Sequence, residues 1–196
     1  MKAKLRKEIL EQRKHLDISE TAEWDKKILE QLKDLFSVES HYTGKTAVDT
    51  AFPQSIYCYI SVRGETGTDR MIDWLLEQGC RVAVPKVDGK EMRFYYINNR
   101  SDLEPGCFGI PEPGAHCEPA VEKSAPVIIP GVAFSTEFQR VGYGAGYYDR
   151  FFGLEPEHER IAVCYEFQLR GDVYAEEHDV PMDWIITPER VMRREK

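Results

Sequence analysis

Residues 139–150 read Gln139-Arg140-Val141-Gly142-Tyr143-Gly144-Ala145-Gly146-Tyr147-Tyr148-Asp149-Arg150, with glycine at every second position from 142 to 146. Each glycine removes a Cβ, so the main chain can approach a ligand closely and can enter left-handed conformations. An apolar run, Val127-Ile128-Ile129-Pro130-Gly131-Val132-Ala133-Phe134, comes before the loop, and Tyr147 opens a candidate helix. Strand, glycine loop and helix start together aim backbone N–H groups and the positive end of a helix dipole at an anion. Arg140 and Arg150 add fixed positive charge, and Asp149 offers a hard oxygen suited to Mg2+. The chemistry implied is phosphate or nucleotide binding. The competing reading is a plain glycine turn, which has no need of two arginines, an aromatic pair and a carboxylate together.

Other routes to catalysis have little support. The chain has no GxSxG elbow, no HExxH and no CxxC, so covalent and zinc chemistry find no framework. GxxxxGK[ST] is absent too, and Gly142-x-Gly144-x-Gly146 lies late in the chain without dinucleotide-binding spacing. His15, His41, His116, His158 and His178 sit in polar surroundings and read as solvated surface residues. Glu176-Glu177-His178-Asp179 has a metal-binding composition, but successive side chains point apart, so at most one or two could share an ion.

These residues must be held by a scaffold, and the hydrophobic pattern describes one. Leu5, Ile9 and Leu16, then Ile28, Leu29, Leu32, Leu35 and Phe36, recur at helical spacing, with Asp17 or Ser19 as the cap between them, so the chain should open with a helical hairpin. Residues 55–62 read as a strand, Thr68 caps a helix ending at Gly79, and residues 81–87 form the next strand. Strand, short helix, strand is the unit of a parallel sheet. Residues 92–97 read as an antiparallel partner reached through the turn Asp88-Gly89-Lys90, and 100–126 as an irregular segment with a small antiparallel pair. Residues 161–165 and 184–187 complete the central strands. The expected class is α/β: three layers, a mostly parallel sheet with helices on both faces, and an N-terminal helical hairpin.

At 196 residues and 42% hydrophobic content, with no Ser/Gly/Pro-rich linker, residues 1–196 are expected to form one domain. A net charge of −8 argues against a broad nucleic-acid or membrane-surface interface, so an anionic ligand must be met by local arginines and lysines. No run of 18 apolar residues is present, and the basic N-terminus has no apolar signal region. Five cysteines, Cys58, Cys80, Cys107, Cys117 and Cys164, fit a reducing compartment better than a disulfide framework, so a cytoplasmic location is expected; small-molecule substrates and a monomer are the accompanying expectations.

The run Arg140-Val141-Gly142-Tyr143-Gly144-Ala145-Gly146-Tyr147-Tyr148-Asp149-Arg150, preceded by Pro130-Gly131-Val132-Ala133-Phe134, resembles the signature of the 5-formyltetrahydrofolate cyclo-ligase family. Lys2-x-x-Leu5-Arg6, Ile60-Ser61-Val62-x-x-Glu65, Val84-Pro85-Lys86 and Phe108-Gly109-Ile110-Pro111-Glu112-Pro113 extend the resemblance over nearly the whole chain. It implies an enzyme that uses ATP to close 5-formyltetrahydrofolate to 5,10-methenyltetrahydrofolate. The formyl oxygen is phosphorylated, a folate nitrogen attacks the activated carbon, and ADP and phosphate are released. Transfer of this kind asks for positioning and charge neutralisation more than a protein nucleophile.

By the same resemblance, Lys2, Arg6, Arg140 and the stretch Gly142, Tyr143, Gly144, Ala145, Gly146, Tyr147 and Tyr148 would contact ATP. Ile60, Glu65, Phe108 and residues Tyr143 to Tyr147 would contact folate. Arg140 and Tyr147 would serve catalysis, and Asp149 with Asp179 would hold Mg2+. Read without the resemblance, Lys2 and Arg6 are a solvated helix face, Asp179 braces the turn before Pro181, and one of Tyr147 and Tyr148 is a core anchor. A binding module without turnover, or a sugar-phosphate isomerase-like enzyme that needs no ATP, are the other readings. Ala145 departs from the family's usual glycine or lysine, at a cost of about 1 kcal/mol if the position requires positive φ. Arg63-Gly64 before Glu65 is also unusual, and Arg63 would stand near the folate's glutamate tail.

Overall fold

The computed structural model describes residues 2–37, 52–62, 64–173, 176 and 179–195. His41, Arg63 and His178 lie outside the described residues, as does the side chain of Phe108. In chain order the elements are α1 (Lys2–Lys14), α2 (Ile18–Phe36), β1 (Ser55–Cys58), α3 (Asp69–Glu77), β2 (Arg81–Asp88) and β3 (Glu91–Ile97). There follow β4 (Leu103–Pro105), β5 (Pro111–Pro113), β6 (Val127–Ile129), β7 (Ala133–Phe134), β8 (Arg140–Val141) and α4 (Tyr147–Leu154). The chain finishes with β9 (Arg160–Val163), β10 (Trp184–Ile186) and β11 (Val191–Arg193).

Seven strands make the central sheet in the order β11-β10-β9-β6-β1-β2-β3. The five inner strands run parallel, and each edge is closed by an antiparallel partner, β3 on β2 and β11 on β10. Inner strands are covered on both faces, so alternate residues enter two different cores. Ile56, Cys58, Val82, Val84, Ile128, Ile161, Val163 and Ile186 pack with α2 and α3. Tyr57, Ala83, Val127, Ile129, Ala162 and Ile185 face Phe151 and Phe152 of α4.

Asp17, rather than Ser19, caps α2: its carboxylate accepts from the Ser19 N–H at 2.8 Å and the Glu20 N–H at 3.2 Å. Thr68 precedes α3 as expected, but its hydroxyl accepts from the Ser61 N–H at 3.0 Å instead of capping its own helix. α1 and α2 follow each other closely and bury different stripes, α2 on the sheet and α1 (Leu5, Ile9) on Val132, Ala133 and Val141. Burying those two side chains contributes about 1.5–3 kcal/mol each.

Three further expectations shift. The strand predicted at 55–62 leaves the ladder after Cys58, and the run at 127–134 divides into β6 and β7. Pro130 has no N–H to extend the ladder, and a Cβ on Gly131 would sit 2.3 Å from the Phe134 ring, so the chain turns there. His158 is not solvated: it is 1% exposed, its Nδ1 lies 2.7 Å from the Ala125 carbonyl, and its ring stacks on Phe151.

Candidate functional site

The chain leaves β1 towards β2 on one side and leaves β6 towards β9 on the other, although β1 and β6 are neighbours. Such a switch point opens a crevice beyond the carboxyl ends of the strands. A cavity of about 740 Å³ lies there, bounded by Tyr59 and Ile60 after β1, Pro85 and Val87 of β2, and Pro130 after β6. Pro85 lies beyond the last β1–β2 pair, Tyr57 with Ala83, so its missing N–H costs that ladder nothing and β2 runs on as a wall.

The glycine loop is the second wall. β8 delivers Arg140, 8% exposed, whose Nη2 donates to Asp149 Oδ1 at 3.0 Å and whose guanidinium lies 5.4 Å from the centre of the Tyr148 ring. A Cβ on Gly142 would stand 2.7 Å from Arg140 Nη1, so glycine there makes room for the guanidinium. Gly144 at φ 108° and Gly146 at φ 69° take left-handed conformations, and Gly146 leads into α4 with no side chain capping its first turn. Ala145 does not share that region: among the described residues, Phe138 is the one non-glycine with positive φ. The expected strain at Ala145 is therefore absent.

The loop is fastened on both flanks. Tyr147 donates its hydroxyl to the Gly89 carbonyl at 3.0 Å, and Arg150 donates through Nε and Nη2 to the Lys90 carbonyl and through Nη1 to the Ala145 carbonyl. On the opposite flank Arg6 Nε donates to the Gly142 carbonyl at 2.7 Å. Tyr148 packs on the core around Phe152, and burial pushes its phenol well above the ordinary range, so of the two tyrosines it is the core anchor.

Lys2, Arg6, Ile60, Glu65, Arg140, the whole run Gly142 to Asp149, and Asp179 all border this one cavity. Residues from both ends and the middle of the sequence are thus brought together. Phe108 has no described side chain, but its neighbours Cys107 and Ile110 line the same space. Lys2 Nζ stands 2.5 Å from Asp179 Oδ2 and 3.2 Å from Glu176, so the first turn of α1 is held by carboxylates at the far end of the chain. Asp149 and Asp179 border the cavity with hard oxygens, each already paired with a cation, Arg140 and Lys2; the donor type suits a hard cation such as Mg2+ better than a sulfur- or imidazole-seeking metal, and such an ion would have to displace those pairings.

Sequence reasoning missed Arg13. Leu5, Ile9 and Arg13 are the three buried residues of α1, spaced by four, and Arg13 is 5% exposed. Its Nη1 donates to the Tyr143 hydroxyl at 2.7 Å and its Nη2 to the Gly131 carbonyl at 2.5 Å. Tyr143 in turn donates to Glu65 Oε1 at 2.7 Å, and Glu65 Oε2 accepts from the Val62 N–H at 2.9 Å. Gly64 suits its place: φ is 71°, a left-handed value that favours glycine, and a Cβ would touch Arg13 at 3.3 Å. A charged residue at the third position of an apolar i, i+4 stripe was the available signal.

A model of the 5-formyltetrahydrofolate cyclo-ligase family matches residues 1–188. The 5-formyltetrahydrofolate cyclo-ligase of Mycolicibacterium smegmatis is 30% identical over 70% of this chain and 75% of its own length. That of Mycoplasma pneumoniae is 29% identical over 94% of this chain and 97% of its own. The solved structure of Aquifex aeolicus 5,10-methenyltetrahydrofolate synthetase superposes with a TM-score of 0.81 at 27% identity, covering 98% of this chain and 92% of that one.

Proposed function

The chain belongs to the 5-formyltetrahydrofolate cyclo-ligase family, and on that premise we propose that it cyclises 5-formyltetrahydrofolate to 5,10-methenyltetrahydrofolate with ATP, releasing ADP and phosphate. The observation that carries the reading is a single cavity walled on one side by Arg6, Arg140 and the glycine loop and on the other by Ile60 and Glu65. One wall suits an anion and the other a neutral, polar ring.

ATP phosphates lie against the first turn of α4 and the loop N–H groups, with Lys2, Arg6 and Arg140 supplying positive charge. Asp149 and Asp179 would hold Mg2+, which when bound would neutralise phosphate charge. Ile60, Glu65 and Phe108 contact the folate, and Tyr143 stands between the two substrates. The formyl oxygen takes the γ-phosphoryl group as the bond to ADP breaks. The folate's N10 then attacks the formyl carbon, loses its proton, and the carbon–oxygen bond breaks as phosphate leaves. Arg140 meets charge as it grows on the transferring group, and Tyr147 holds the loop around it.

No step needs a protein nucleophile, and burial pushes the Cys58 and Cys164 thiols well up, out of reactive range. All proposed contacts come from one chain, so the reading needs no partner subunit; we propose a monomer. Five unpaired cysteines favour a reducing, cytoplasmic setting. Mixing the purified protein with 5-formyltetrahydrofolate and Mg·ATP should raise the near-ultraviolet absorbance of the methenyl product. Absence of product at high enzyme concentration, or product without ATP, overturns the reading.

A further inference from the structure

Tyr143 occupies the loop assigned to the nucleotide, yet its hydroxyl is held by a residue of α1 and holds a residue of the folate wall. The phenol oxygen accepts from Arg13 and its proton goes to Glu65, at 2.7 Å in both cases. An arginine cannot accept a hydrogen bond, so Arg13 fixes the direction of the whole relay. Burial and the Glu65 charge keep the phenol protonated well above its ordinary range, so the donor to Glu65 persists. Glu65 is left with one oxygen held by Tyr143 and the other by the Val62 N–H, its carboxyl plane set from two sides. Arg13 is itself locked by the Gly131 carbonyl, which also receives Gln168 Nε2 at 3.0 Å.

We propose that Arg13 is a positioning residue for the folate half of the site: through the Tyr143 hydroxyl it sets the orientation of Glu65. The proposal rests on the reading of Glu65 as a folate contact. Its chemistry is that of a fixed carboxylate receiving N–H groups from a neutral heterocycle, where a misaligned acceptor loses much of the bond.

The test is a double-mutant cycle on Arg13→Met and Tyr143→Phe, read as the dissociation constant for 5-formyltetrahydrofolate without ATP and as separate KM values for folate and ATP. Each single variant should weaken folate binding about tenfold, and the double variant no more than either alone, because both cut one relay. In Arg13→Met, which alters no residue assigned to ATP, the KM for ATP should change less than about twofold. Arg13→Lys, which keeps one donor and loses the fork, should fall between wild type and Arg13→Met. Tyr143→Phe removes one hydroxyl on the cavity wall, so it keeps the test open if Arg13→Met does not fold. Additive effects, or an equal rise in both KM values of Arg13→Met, overturn the proposal. Folate binding with no turnover in the wild type would instead overturn the enzymatic reading and leave the cycle to decide the relay.

Discussion

Positions 142 and 145, three residues apart in the glycine loop, respond oppositely to a methyl group. At 142 a Cβ would meet Arg140 Nη1 at 2.7 Å, so Gly142→Ala should displace the guanidinium proposed to meet the phosphates. Turnover should fall by about tenfold or more, equivalent to about 1.4 kcal/mol of transition-state stabilisation, with the circular dichroism unchanged. At 145 the backbone is ordinary, so Ala145→Gly should leave the KM for ATP within about twofold of wild type. A large gain in ATP affinity from that variant would mean strain at 145 after all. That Arg140, Glu65 and the glycines would share one cavity was legible through the resemblance their motifs carry. Arg13 was not, because a charge on a helix is read as solvated unless its place in the apolar stripe is counted.

Asp25 is the counterpart at the scale of elements. It projects from α2 to accept from the Gly67 N–H at 3.0 Å and from the Tyr165 hydroxyl at 2.9 Å, both through Oδ1, and so joins α2 to the approach of α3. Burial pushes its carboxyl above the ordinary aspartate value, against the lowering effect of those hydrogen bonds and of Arg70. A raised folded value means the native state keeps a proton that the unfolded chain has lost. This contribution to stability is fully present below the unfolded value and is lost as pH rises through the folded one. Asp25→Asn keeps an oxygen for both donors without the charge. Its Tm should exceed that of the wild type near pH 7, and the gap should close on acidification through the raised titration; a gap that does not vary with pH would exclude this account. The elements themselves were mostly legible, the β2–β3 hairpin with its Asp88-Gly89-Lys90 turn among them. β11 was not, since Val191-Met192-Arg193 lies among charges and becomes a strand only by pairing with β10. The split at Pro130-Gly131 was marked in the sequence by the Pro-Gly dipeptide, but inside an apolar run of eight residues the pair was read as part of one strand.

Across the whole molecule the site is closed by segments that have no local reason to meet: α1, the end of β1, the loop before α4, and Asp179 near the C-terminal strands. A ligand that touches all of them should stabilise the fold as a unit. At a hundredfold excess over Kd, Mg·ATP should contribute about 2.7 kcal/mol, seen as a rise in Tm of several degrees. Arg140→Ala should lose most of that rise as well as at least tenfold in turnover, and a full rise in this variant would remove Arg140 from the nucleotide wall. The α/β class and the sheet's two covered faces follow from the alternation of apolar runs and amphipathic helices. The meeting of Lys2 with Asp179 does not, because an ion pair between residues 177 positions apart leaves no periodic trace.

The hairpin turn that steadies the loop does so with main-chain oxygens alone: Gly89 receives Tyr147, and Lys90 receives two nitrogens of Arg150. Every amino acid carries such an oxygen. Position 90 is therefore free to drift in size, polarity and charge while the clamp persists. Position 89, at φ 60°, can change only to residues that accept a left-handed backbone. Mutational tolerance at this edge of the site is set by conformation rather than by side-chain chemistry, so a saturation scan of the two positions should return a permissive profile at 90 and a narrow one at 89.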